Sequence, residues 1–160
     1  MDKKIIYVDM DFTLCDYAEG FKRHKALHPN QQYPQGQPGL YVGLNPMPDA
    51  IETYHWMAEQ PEFDVYILTA PSIKNPHSYS EKRIWVEKYL GIKVVNKLII
   101  SPNKGLNKGD YLIDDNLSGK GQEHFAGEII QFGSLEYPSW MSVKSYLESE
   151  LIKHRSLASS

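Results

Sequence analysis

Ile5-Ile6-Tyr7-Val8-Asp9-Met10-Asp11-Phe12-Thr13 opens the chain with an apolar run that ends in two carboxylates, two positions apart. The run is β-branched and continuous rather than alternating, which suits a strand buried on both faces of a parallel sheet. In open α/β sheets, ligands bind at the carboxyl ends of the strands. Two carboxylates placed there repel each other unless a proton or cation joins them. A divalent metal meets that need, and hard oxygen donors favour Mg²⁺. Taken alone, the motif also fits a pair of solvated aspartates in a turn.

Four more apolar runs follow, at 65–68, 97–100, 111–113 and, more weakly, 128–131. The stretches between them read as helices. Asp49 with Glu52 forms a capping box, and Ile51, Tyr54, His55 and Ala58 then share a helical face. Ser78 with Glu81 forms a second box, closed by Gly91 as the C-terminal cap. Trp140, Val143, Leu147 and Leu151 repeat at helical spacing near the end. Strands alternating with helices predict a Rossmann-like α/β domain, a parallel sheet flanked by helices. We expect a single domain over residues 1–153, with a small insert at about 17–47 after the first strand and a flexible tail at 154–160. The insert is rich in Pro, Gly, Gln and Asn from His28 to Pro48, and reads as either an irregular loop or a small lid.

A chain of 160 residues is long enough to bury a core without staples. Its net charge of -3 gives no reason to expect a nucleic-acid polymer as partner. The lone Cys15 excludes an internal disulfide and reads as a small packed residue. No apolar leader and no run of bilayer length is visible, so no membrane is expected and the cytoplasm is.

The other strand ends carry chemistry as well. Tyr111-Leu112-Ile113-Asp114-Asp115-Asn116 ends a second strand in paired acids. If the two acid-bearing strands are neighbours, four carboxylates converge, and that density needs a metal. Val65 to Pro71 ends in Thr69, whose hydroxyl and following N–H groups are able to hold phosphate oxygens. Ser101-Pro102-Asn103-Lys104 offers a lysine that beside the acids is able to balance charge and bind a phosphate, and that taken alone reads as a solvated surface residue. His24 and His28, four apart, make a weak zinc pattern with no third ligand in view.

In chain order these are Asp9 and Asp11, Thr69, Lys104, then Asp114 and Asp115. That order resembles the four motifs of the haloacid dehalogenase-like phosphatases, read here as DMDFT, ILTAP, the lysine of SPNK, and DYLIDDN. Within that superfamily, TAP, EKRIWVEKYLG, SPNK and DYLIDD resemble the 5′(3′)-deoxyribonucleotidases, as do GLYV and PMPDAIE. The resemblance implies a Mg²⁺-dependent phosphomonoester hydrolase whose substrate is a small deoxynucleoside monophosphate. Asp9 would be the nucleophile and Asp11 the general acid and base. The metal would be held by Asp9, the backbone carbonyl of Asp11 and Asp115, with Asp114 supporting them. Thr69 and Lys104 would hold the phosphoryl oxygens, joined by Lys82 or Lys74. Tyr17 and Tyr41 match positions that stack on the base, and also suit packing of the insert against the domain. Phe12 stands where the family carries a small residue, and the insert is shorter than the family's helical cap. A sugar phosphatase and a non-enzymatic phosphoacceptor domain are the alternatives.

Overall fold

The structure, a computed structural model, describes residues 2–160. Five strands, β1 (Lys4–Val8), β2 (Phe63–Thr69), β3 (Leu98–Ile100), β4 (Tyr111–Asp114) and β5 (Glu128–Gln131), form one sheet in the order β3-β2-β1-β4-β5. All four neighbouring pairs are parallel. The helices are α1 (Tyr17–Leu27), α2 (Ala50–Glu59), α3 (His77–Leu90), α4 (Ile92–Val95) and α5 (Trp140–Ala158). This is the expected Rossmann-like architecture, and each apolar run becomes a strand with its ends moved by no more than two residues.

From β1 the chain builds outward to β2 and β3, then crosses back to β4 and β5 on the other side. The order reverses between β1 and β4, and a crevice opens there at the carboxyl ends of the strands. Val8 pairs with Ile67 on one side and Ile113 on the other, so Asp9 emerges level with Asp114. The Asp9 N–H donates to the Ile113 carbonyl at 2.9 Å, which continues the ladder to that level.

The two faces of the sheet are unequal. Ile6, Val8, Val65, Ile67, Ile113 and Ile130 join the buried residues of α2, α3 and α5 in the main core. The opposite face holds a small cluster of Tyr7, Leu68, Leu112 and Phe125, with Ile5, Tyr66, Ile99 and Ile129 only half-buried beside it. The inner strands are buried on both faces as expected, at Ile6, Tyr7 and Val8 of β1 and throughout β4, whereas the edge strand β3 is half-buried. The connection from β4 to β5 contains only a 3₁₀ turn, Gln122–His124, so the opposite face has a thin cover. No described helix is long and apolar enough to cross a membrane.

Both expected capping boxes fail, for local reasons. Asp49 adopts a left-handed conformation at φ 61 and its side chain caps nothing. The buried row of α2 is then Ala50, Thr53, Tyr54 and Met57, rotated by one position from the expected row, and His55 and Ala58 are exposed. At α3 the helix starts two residues early, at His77 with Pro76 in the cap position, and the His77 N–H is taken by the Asn75 side chain at 3.0 Å. Ser78 and Glu81 are therefore buried inside the helix and bond elsewhere. Gly91 does close α3, at φ 92, where glycine avoids Cβ strain. The segment expected to be flexible from His154 is helical to Ala158, and Arg155 pairs with Glu62 at 2.7 Å.

The insert is irregular apart from α1 and a 3₁₀ turn, Pro34–Gly36. Its Leu40, Tyr41 and Leu44 are nonetheless part of the main core. Buried Glu81 accepts from the N–H groups of Gly39, Tyr41 and Val42 at 2.5, 3.1 and 3.4 Å. Fully buried Asn75 donates to the carbonyls of Gln35 and Gln37 at 3.0 and 3.2 Å. The Trp85 indole N–H donates to the Leu44 carbonyl at 2.8 Å. Where α1 meets this layer the chain needs Gly20, because a Cβ there would lie 2.3 Å from Leu44 Cδ2.

Candidate active site

The turn after β1 sets the first two acids. Cys15 N–H and Thr13 N–H both donate to the Met10 carbonyl, at 2.8 and 3.1 Å, and Phe12 N–H donates to the Cys15 carbonyl at 3.0 Å. Closing so tight a turn places Phe12 at φ 62, a left-handed conformation that costs a residue with a Cβ roughly 1–2 kcal/mol. The turn is anchored from below by Trp140, whose indole N–H donates to the Thr13 carbonyl at 2.9 Å. Trp140 is fully buried, and burying a large apolar side chain contributes ~2–3 kcal/mol. Cys15 is packed beneath the turn, and burial holds its thiol well above the ordinary range.

Asp9 is nearly buried, and its Oδ1 meets the Lys104 ammonium at 2.7 Å. The same ammonium meets Asp114 Oδ2 at 2.5 Å. Lys104 reaches this place because Asn103 caps the short turn that carries it, accepting from Gly105 N–H at 3.1 Å. Gly105 is required there, since a Cβ would lie 2.5 Å from the Gly121 carbonyl oxygen. Burial opposes the charge of Lys104, but Asp9 and Asp114 outweigh it and hold the ammonium above its usual range.

Ligand oxygens of Asp9, Asp114 and Asp115 all lie within 4.8 Å of one another. Burial, then the charge of Asp9, raises the Asp114 carboxyl, with Lys104 acting against it. Asp115 is pushed up to about 7 by burial first, then by Asp9 and Asp114. Buried oxygens are left without a hydrogen-bond partner at Asp115 Oδ1 and at Asp11 Oδ1. Clustered acids, raised carboxyls and orphaned oxygens are the pattern that a divalent cation relieves, and the all-carboxylate donor set fits a hard ion.

Asp11 points to the other side of the crevice. Its Oδ2 accepts from the Lys82 ammonium at 2.8 Å, and Lys82 also donates to Thr69 Oγ1 at 2.8 Å. Burial is the largest influence and raises the Asp11 carboxyl, while Lys82 lowers it. The net displacement of the Asp11 carboxyl is upward. A cavity of about 310 Å³ lies over these groups, lined among others by Asp9, Asp11, Tyr17, Tyr41, Lys104 and Asp115.

The structure thus brings together Asp9, Asp11, Thr69, Lys82, Lys104, Asp114 and Asp115, drawn from four adjacent strand ends and α3. Tyr17 and Tyr41 both line the cavity and both pack, with ring centroids 6.1 Å apart and Lys82 Nζ 5.0 Å from the Tyr41 ring. Lys74 is not brought in. It is exposed on the loop after β2, with Nζ 5.7 Å from the Tyr33 ring, because Asn75 ties that loop to the insert. The His24 and His28 rings lie 4.7 Å apart, tilted by 44°, and His24 Nε2 bonds Gln31 Oε1 at 2.8 Å. Among the described residues they belong to no group of three ligands. Sequence reasoning missed buried Gln122, which donates to Asp114 Oδ2 at 3.3 Å, and Thr13, whose hydroxyl lies 3.4 Å from Asp9 Oδ2. Thr13 was visible in DMDFT, whereas a glutamine in a polar turn carries no signal.

The family described as "5' nucleotidase, deoxy (Pyrimidine), cytosolic type C protein" matches residues 22–145. A putative 5'(3')-deoxyribonucleotidase of Vibrio phage KVP40 is 41% identical over 153 residues, covering 93% of this chain and 87% of that protein. The human cytosolic-type 5'(3')-deoxyribonucleotidase is 36% identical, covering 84% of this chain and 76% of its own length. A putative 5'(3')-deoxyribonucleotidase of Bordetella bronchiseptica is 31% identical, covering 69% and 73%. The matched span runs from α1 into α5, across every strand end that supplies the site except that of β1, and the phage relative extends the match over most of the chain. The chain belongs to the 5'(3')-deoxyribonucleotidase family, within the haloacid dehalogenase-like superfamily.

Proposed function

We propose that the protein is a Mg²⁺-dependent 5'(3')-deoxyribonucleotidase that hydrolyses deoxynucleoside monophosphates through an aspartyl-phosphate on Asp9. The observation that carries this reading is the meeting of Asp9, Asp114 and Asp115 within 4.8 Å, with Lys104 bridging two of them and Asp11 set apart on Lys82. Asp9, Asp115 and the backbone carbonyl of Asp11 would hold the ion, with Asp114 fixing Lys104 behind them. When bound, Mg²⁺ neutralises the acids and draws charge from the phosphoryl oxygens.

The steps belong to the chain's own residues. The Asp9 carboxylate attacks phosphorus, forming an acyl phosphate as the ester P–O bond breaks. Asp11, its carboxyl raised by burial, delivers its proton to the leaving nucleoside oxygen. Lys104 and Lys82, both almost fully buried, hold phosphoryl oxygens together with the Thr69 hydroxyl. Asp11, now ionised, takes a proton from water as that water attacks phosphorus. The acyl-phosphate P–O bond breaks, and Asp9 is restored as phosphate leaves. The insert at about 17–47 acts as a small fixed cap that presents Tyr17 and Tyr41 to the base. The human relative's cytosolic type and the single buried cysteine support the cytoplasm as the site of action.

Phosphate release from a panel of deoxynucleoside and sugar monophosphates, with and without Mg²⁺, tests the reading. We expect Mg²⁺-dependent release that favours the deoxynucleotides. Equal rates across the panel would replace the substrate by a general phosphate ester, and no release from any ester would overturn the enzyme reading.

A further inference from the structure

Phe12 combines three properties that packing does not explain. It holds φ 62, where a Cβ is strained and glycine is the ordinary occupant. It is 41% exposed, so its ring gains little from burial. It is also a wall shared by two cavities, the catalytic one of about 310 Å³ and a neighbour of about 520 Å³ lined by Met47, Phe132 and Trp140. Strain kept at an exposed residue points to a role in the site that the residue lines.

The surroundings say what that role is. The Phe12 ring lies 4.8 Å from that of Tyr17, tilted by 36°, and Tyr17 is 6.1 Å from Tyr41. Three aromatic rings thus line the cavity beside the acids. Phe12 follows Asp11 in the chain, and both line this cavity.

We propose that Phe12 is a specificity residue that contacts the flat aromatic base of the leaving nucleoside, holds it on the Tyr17 and Tyr41 side, and closes the neighbouring cavity to it. This rests on the nucleotide reading given above. Phe12 and Asp115 are the residues that both cavities share, and removing the ring leaves the base with one stacking partner fewer.

Steady-state kinetics of Phe12→Gly and Phe12→Tyr with deoxyuridine monophosphate test this, beside competitive inhibition by inorganic phosphate and thermal melting. Phe12→Gly is expected to raise KM about tenfold, the effect of losing one base–aromatic stack. Its inhibition constant for phosphate stays within about twofold and its melting midpoint does not fall, because glycine relieves the strain at this φ. Phe12→Tyr retains the ring and the wild-type KM. An unchanged KM in Phe12→Gly, with normal turnover, overturns this proposal alone. A lowered melting midpoint with KM and phosphate inhibition moving together makes Phe12 a packing residue and overturns it as well. A wild type that turns over no nucleotide overturns both this and the nucleotide reading.

Discussion

Asp115 carries the most informative single charge in the site. Its carboxyl is pushed up to about 7 by burial and by two neighbouring acids, and its Oδ1 has no hydrogen-bond partner. A cation must displace the proton that this carboxyl holds below that pH. The sign follows directly. With Asp115 as a ligand, Mg²⁺ affinity is expected to be flat above about pH 7, where the carboxylate is ready, and to fall below it by up to about tenfold per pH unit as one proton is exchanged for one ion. Mg²⁺-dependent shifts of the melting midpoint at pH 5.5, 6.5 and 8 measure this, and equal affinity across that range would contradict it. The acids were legible in the sequence because an apolar run fixes where a buried strand ends, so DMD and IDD had to surface at the sheet's rim. Lys82 and Lys74 were not separable in the same way. What divides them is the tie from Asn75 to the insert, which leaves Lys74 outside, and a long-range hydrogen bond has no local signature.

Among the elements, α3 links the chemistry to the insert through adjacent residues. Lys82 holds Asp11 and Thr69, while Glu81 collects three N–H groups from the segment that carries Tyr41. Both side chains are buried, so the wall of the cavity and the Lys82 ammonium move together if α3 moves. Glu81→Ala leaves three donors in a poorly hydrated place and is expected to cost about 2–4 kcal/mol of stability. Glu81→Gln keeps one acceptor and is expected to cost less, with faster amide exchange confined to the segment around Tyr41 and a raised KM. Unchanged exchange there in a folded Glu81→Gln protein would show that the insert is held by Leu40 and Leu44 packing instead. Sequence reasoning placed α3 well but misassigned Glu81 to a capping box, since the Ser-x-x-Glu spacing is identical whether the glutamate caps its own helix or fastens a distant loop. The same ambiguity arose at Asp49, where a left-handed φ removes the side chain from the helix N-terminus.

At the scale of the whole molecule, the function follows from one topological fact: the first and fourth strands are neighbours, on either side of the point where the strand order reverses. Alternating apolar runs and amphipathic stretches revealed the parallel sheet, and the family resemblance supplied an expected order of motifs. The unequal faces of the sheet were not legible, because half-buried Tyr66 and Ile129 have the same composition as a fully covered strand. The neighbouring of β1 and β4 puts Asp9 level with Asp114, and the turn after β3 brings Lys104 between them as a counter-charge. The central claim is that Asp9 itself receives the phosphoryl group. Rapid acid quench with a ³²P-labelled deoxynucleoside monophosphate and Mg²⁺ measures this most directly, for wild type, Asp9→Asn and Asp11→Asn. The account predicts label on the Asp9 peptide in wild type, none in Asp9→Asn, and in Asp11→Asn label that both forms and decays more slowly, because Asp11 serves both steps. Phosphate release by a folded Asp9→Asn protein at the wild-type rate, or turnover without protein-bound label, would contradict it.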